Sequence, residues 1–210
     1  MLLDLVLPVE CGGCAAPGTR WCPVCDAELR AKAAEPRVVT PRLDPGVPVL
    51  SLGRYAAARR RAIVAAKEHG RADLITPLAL AVRTGLTQLL TWGLLDTPLT
   101  VVPAPTRWTA ARRRGGDPVG RVARLATAGL PGVTVTRSLR LAGFAKDSVG
   151  LSSADRQRNL AGRVRVRVAP TAPVLLLDDV VTTGATACAS VAALQTFGVS
   201  VQAVLAIANA

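Results

Sequence analysis

The chain has 210 residues, enough for one α/β domain with a small appendage. Half of them are apolar but only 3% are aromatic, so Ala, Val and Leu must build the core, and charge or Pro interrupts the apolar stretches before they reach a membrane-spanning length. The net charge of +12, carried mainly by Arg, fits either a compositional bias towards Arg and Ala or attraction to a polyanion, and charge alone does not choose between them.

The opening stretch MLLDLVLPVE carries Asp4 and no basic region, which argues against a signal peptide and sets the expectation of a cytoplasmic protein. Four of the five cysteines follow in CGGCAAPGTRWCPVC: Cys11 and Cys14, then Cys22 and Cys25. Two C-x-x-C knuckles separated by seven residues bring four soft sulfurs within reach of one tetrahedral ion. A segment this small has too little apolar surface to fold unaided, so a structural Zn²⁺ is expected to staple it. Disulfides are disfavoured without a secretion signal, and a redox dithiol at Cys22 and Cys25 would need a βαβ unit that does not begin there. The expected organisation is a zinc-binding module over residues 1–35 and a main domain over 36–210, joined by the Pro-rich stretch AKAAEPRVVTPRLDPGVP.

Along the main domain, VPVLSLGRY reads as a strand ending at Tyr55, and AAARRRAIVAAKEHG as a helix stopped by Gly70. His69, the single histidine, sits where a cation complements the helix C-terminus. ITPLALAVRTGLTQLLTWGL is a second, mostly buried helix. LTVVPAPTRW gives a strand over 99–102 and a Pro-punctuated loop carrying Arg107. A basic segment then leads into a third helix, and VTVTRSLRL reads as one strand. AGFAKDSVGLSSADRQRNLAG is polar and Gly-rich, a loop with a short helix after Ser153. RVRVRV alternates strictly and predicts a strand with an Arg face of Arg163, Arg165 and Arg167. VSVQAVLAIA closes the domain as a last strand. Alternating strands and helices of these lengths predict an open, mainly parallel α/β sheet flanked by helices.

The most informative stretch is VLLLDDVVTTGAT, which begins at Val174 and ends at Thr186. Four apolar residues bounded by Pro173 read as a strand buried on both faces. The Ala-rich run from Ala185 to Phe197, with Gly198 beyond it, reads as a helix in which Cys188 is a small buried hydrophobe. Thr182, Thr183, Gly184, Ala185 and Thr186 therefore lie at a helix N-terminus, where free N–H groups and hydroxyls make a phosphate site. Asp178 and Asp179 repel that phosphate; they suit sugar hydroxyls, or Mg²⁺ held through water. A ligand with a phosphate at one end and a diol a few ångströms away fits both halves. No Gly-Lys-Ser/Thr loop and no G-x-G-x-x-G after a strand competes with this reading.

The stretch resembles the 5-phosphoribosyl 1-pyrophosphate (PRPP) signature of type I phosphoribosyltransferases. With the preceding cysteine knuckles, nearly the whole chain resembles the ComF/GntX group of that superfamily. The shared features include Tyr55 leading a helix with Lys67 and Gly70, and Pro103 and Pro105 after a strand. They continue with the basic run Arg112, Arg113, Arg114 and Gly115, and with Leu151, Ser152, Arg156, Asn159 and Leu160. The chain departs from the group where Gly116, Asp117 and Pro118 replace Phe-Asn-Gln, and where Ser148 stands for a Gln.

The resemblance implies a phosphoribosyltransferase-like fold. It assigns catalytic roles to Asp178 and Asp179, and PRPP binding to Thr182, Thr183, Gly184, Ala185, Thr186, Arg107 and Lys146. The segment 143–150 would close over the site, and Mg²⁺ would accompany PRPP. It also implies a role in DNA uptake, with single-stranded DNA meeting Trp108, Arg112, Arg113 and Arg114, and admits a competence helicase and a second copy of the chain as partners. A PRPP-binding regulator that does not catalyse would use the same residues. The Arg face of RVRVRV reads first as a charged edge strand that blocks edge-to-edge aggregation, and second as a further contact for DNA.

Overall fold

The apolar runs after Pro98 and Pro173 and near the C-terminus are long enough for strands and too continuous for an amphipathic helix, and they pair as the centre of one sheet. The computed structural model describes residues 9–106, 117–142 and 162–210. In chain order these residues form α1 (Pro23–Ala33), β1 (Arg37–Val38), β2 (Val49–Ser51), α2 (Ala57–Glu68), a single 3₁₀ turn (Ala72–Leu74), α3 (Ile75–Thr91), β3 (Leu99–Pro103) and α4 (Pro118–Thr127). Then follow β4 (Val133–Val135), β5 (Leu139–Leu141), β6 (Val164–Val166), β7 (Val174–Val181), α5 (Ala185–Thr196) and β8 (Val201–Asn209).

Six strands make a sheet in the order β1-β2-β8-β7-β3-β4, parallel throughout except for β1. Apolar side chains cover both faces, as parallel sheets require. On one face β7 contributes Leu175 and Leu177 to a core shared with α2, α3 and α4; on the other, Val174 and Leu176 pack with Ala187, Val191 and Leu194 of α5. Helix α3 buries Leu78, Val82, Leu86 and Leu89 along one stripe. With the 3₁₀ turn it is long and apolar enough to cross a membrane, and more than half of it is buried inside the protein. Helix α1 contributes Leu29 and Ala33 to the core that also holds Leu52 and Leu86, so the four-cysteine segment leads directly into the main packing.

Two strand expectations change. VTVTRSLRL is two strands, not one: β4 lies in the main sheet, whereas β5 pairs antiparallel with β6 in a separate two-stranded sheet. The break comes at Thr136, which makes a last bond to Val101 O before its own carbonyl accepts the Ser138 N–H in a tight turn. RVRVRV keeps strand geometry only over β6, with Arg140 directly opposite Arg165.

Candidate functional site

Sheet topology points to a crevice before any side chain is considered. From β3 the chain passes through α4 to β4, outward on one side; from β7 it passes through α5 to β8, outward on the other. The two helices pack on opposite faces, so the carboxyl ends of β3 and β7 part around a cleft, the usual ligand position in an open parallel sheet. Register places Pro103 beside Leu177, and Ala104 N–H donates to Leu177 O at 2.8 Å. Asp178 and Asp179 follow immediately.

Asp178 is 8% exposed and Asp179 9%, unusual burial for carboxylates. Asp178 Oδ1 accepts the Asp179 N–H at 2.8 Å, and Asp179 Oδ1 accepts the Val180 N–H at 2.9 Å. Asp179 Oδ2 contacts the Lys67 ammonium from α2. Burial, with the Asp179 charge adding to it, pushes the Asp178 carboxyl up to about 8. Beside the pair, burial lowers the Lys67 pKa, and the charges of the two acids and the contact with Asp179 outweigh that and raise it.

Beyond β7, Thr182 is exposed, and Thr183, Ala185 and Thr186 are half-buried around buried Gly184. Gly184 caps α5 with φ of 84°, and no side chain caps the helix, which leaves its first-turn N–H groups for another acceptor. Residues 41–43, inside the expected linker, cross this loop: Leu43 N–H donates to Thr183 O at 2.9 Å. A Cβ on Gly184 would lie 2.5 Å from Leu43 O, so both the positive φ and the close strap demand glycine.

The structure therefore brings together Asp178, Asp179, Thr182, Thr183, Gly184, Ala185 and Thr186 at one end of the sheet. Arg107, Trp108, Arg112, Arg113, Arg114 and Lys146, with the 143–150 segment and the family positions 148 and 151–160, lie outside the described residues. The sequence places Lys67 in the last turn of a helix and at a family position, with no link to the acid pair, and places 41–43 in a linker. Contacts across 112 and 140 positions leave no local signal for either. As a set of Mg²⁺ ligands the acid pair fits poorly: Asp179 Oδ1 holds a backbone N–H, its Oδ2 is buried against the Lys67 ammonium, and Asp178 resists ionisation.

The four-cysteine cluster is a second site. The sulfurs of Cys11, Cys14, Cys22 and Cys25 all lie within 4.8 Å of one another, and those of Cys14 and Cys22 are 3.6 Å apart. A tetrahedron of thiolates around Zn²⁺ has edges of about 3.8 Å, so the four can hold a structural metal such as zinc. Gly13 N–H and Cys22 N–H donate to Cys11 Sγ at 3.4 and 3.3 Å, and Cys25 N–H donates to Cys22 Sγ at 3.4 Å. Burial raises the Cys11 pKa, but these and other backbone contacts outweigh it and hold the thiol near 6. Burial and the neighbouring sulfurs push Cys25 up. A Cβ on Gly13 would lie 2.6 Å from Cys25 Sγ, so the knuckle closes only around glycine.

The cluster is docked onto the main domain by arginines. Arg61 donates to Gly13 O at 2.9 Å; Arg71, paired with Asp73, donates to Glu10 O and Arg20 O at 3.2 and 3.1 Å. Arg59, 5% exposed, donates to Ile207 O at 3.1 Å and Leu29 O at 3.4 Å, tying α1 to β8. Cys188, expected to be buried, is half-buried near the start of α5. His69 is exposed at the end of α2, where its N–H donates to Ala65 O. Compared with protein families and with curated proteins, the chain matches no family model and no curated sequence.

Proposed function

We propose that the chain is a PRPP-binding protein of the phosphoribosyltransferase type, in the ComF/GntX group, with its site in the crevice between the ends of β3 and β7. The carrying observation is one strand–loop–helix unit that joins a buried acid pair to an uncapped helix start at a topological switch point. The 5-phosphate lies on the first turn of α5, receiving N–H groups and the hydroxyls of Thr182, Thr183 and Thr186. The ribose diol meets the acid pair: Asp179 accepts a hydrogen bond from a hydroxyl, and Asp178, whose pKa burial raises to about 8, can also donate one.

By resemblance, Arg107 and Lys146 serve the pyrophosphate end, and Mg²⁺ enters with the pyrophosphate. Loss of pyrophosphate from C1 builds positive charge on the sugar, so catalysis rests on charge stabilisation and on positioning an acceptor. Cytoplasmic location and a role in DNA uptake belong to the same proposal.

A second reading, contact with single-stranded DNA, is favoured by the two-stranded sheet. Arg140 and Arg165 are exposed and directly paired, an arrangement that costs stability unless an anion sits across it. Unfolding followed with PRPP, pyrophosphate and ATP tests the first reading. A specific ligand at a hundredfold excess over Kd stabilises by about 2.7 kcal/mol. Equal shifts for all three would indicate a general anion site. Pyrophosphate release over a panel of nucleobases and amines then decides whether transfer occurs.

A further inference from the structure

The acid pair carries a cation of its own. Lys67, in the last turn of α2, contacts Asp179 Oδ2, while Asp179 Oδ1 accepts the Val180 N–H. Oδ1 is thereby hydrogen-bonded, while Oδ2 is buried against the ammonium in an ion pair without a hydrogen bond of its own. The pocket that Lys67 and Asp179 border is otherwise lined by apolar side chains, among them Ile63, Ala66, Leu78 and Val119. Mg²⁺ needs near-octahedral oxygen ligands at about 2.0–2.1 Å, and among the described residues the acid pair supplies few of them, since Asp179 Oδ1 holds a backbone N–H and Oδ2 faces an ammonium. An ammonium neutralises the same charge without a coordination sphere. The Lys67 side chain is also 38% exposed, so a ligand can reach it.

We infer that Lys67 is the resident counter-ion of the acid pair and holds Asp179 as the acceptor for a vicinal diol, so that sugar recognition at this site needs no divalent cation. The diol half rests on the phosphoribosyl reading above; the counter-ion half rests on the contacts of Lys67 and Asp179 alone. Lys67 is a positioning residue in this scheme. Its removal exposes an unbalanced buried carboxylate, which a divalent ion can then claim.

The test uses full-length, zinc-loaded protein with two probes, Mn²⁺ followed by its electron paramagnetic resonance signal and ribose 5-phosphate followed by calorimetry. The wild type should bind ribose 5-phosphate equally with and without Mg²⁺ and show no Mn²⁺ binding that depends on Asp179. Lys67→Met should lose about tenfold or more in ribose 5-phosphate affinity, the size of one charge-assisted hydrogen bond. It should also acquire a Mn²⁺ site that Asp179→Asn abolishes in the same background. Lys67→Arg should restore most of the sugar affinity, which a purely structural defect would not permit.

Asp179-dependent Mn²⁺ binding in the wild type, or a folded Lys67→Met variant with no gained Mn²⁺ site, overturns the counter-ion role. Wild-type protein that ignores ribose 5-phosphate while Lys67→Met gains the Mn²⁺ site overturns the phosphoribosyl reading and the diol half together, and supports the counter-ion half.

Discussion

Replacing Asp178 with Asn should stabilise the protein by an amount that grows with pH. Burial and the adjacent Asp179 charge raise the folded-state pKa of Asp178 from 3.8 to about 8. Between those values the folded chain retains a proton that the unfolded chain has released. Stability is therefore greatest, as far as this group is concerned, below the unfolded value and falls as pH climbs towards the folded one. The loss is about 1.4 kcal/mol per tenfold drop in proton concentration, or about 3 kcal/mol between about pH 5 and about pH 7.5.

Asn keeps the oxygen that accepts the Asp179 N–H at 2.8 Å and does not titrate, so the difference between the two proteins isolates this one group. Urea unfolding of both, zinc-loaded and without ligand, at intervals across that range gives the difference directly. A gap that widens with pH supports the buried, proton-holding acid. Parallel curves would refute it and return Asp178 to the solvated carboxylates.

Other predictions concern the frame around the site. Purified protein should contain about one zinc per chain, and Cys14→Ser or Cys22→Ser should lose the metal; metal-free protein with four reactive thiols and an unchanged unfolding midpoint would contradict this. Arg59→Met should lower stability by about 1–3 kcal/mol in urea unfolding, because two carbonyls lose a buried donor; an unchanged midpoint would free α1 from that tie. Replacing Arg140, Arg165 and Arg167 with Ala should flatten the salt dependence of single-stranded DNA binding in a filter assay, and an unchanged slope would return these residues to the solvated surface.

The sheet and its central unit are legible in the sequence because their signals are local. The apolar run of β7 meets an acid pair, a Thr-Gly loop and an Ala-rich helix in order, and Gly198, with φ of 71°, follows the end of α5 as its position suggests. The cysteine cluster is legible for the same reason, since spacing alone brings the thiols together. What escapes is made by contacts between distant segments. Lys67 faces Asp179 only because α2 packs beside the end of β7, and the strap over Gly184 looks like any Pro-rich linker until Leu43 bonds to Thr183. The split of VTVTRSLRL escapes for a different reason: Val133, Val135, Leu139 and Leu141 keep one alternating phase on both sides of the turn, with only Arg137 interrupting it, so pattern reading joins two strands that lie in different sheets.

The central claim is that one unit holds a sugar diol and a phosphate together, and calorimetric titration with PRPP tests it most directly. Wild-type protein should bind, and the double change Asp178→Asn with Asp179→Asn should weaken binding while the fold survives. Thr183→Val should weaken it independently by about tenfold to a hundredfold, the worth of a hydroxyl bond to a charged acceptor. Ribose 5-phosphate should show the same Thr183 dependence. PRPP binding that ignores both changes would mean that β7 and α5 are a strand and a helix start and nothing more.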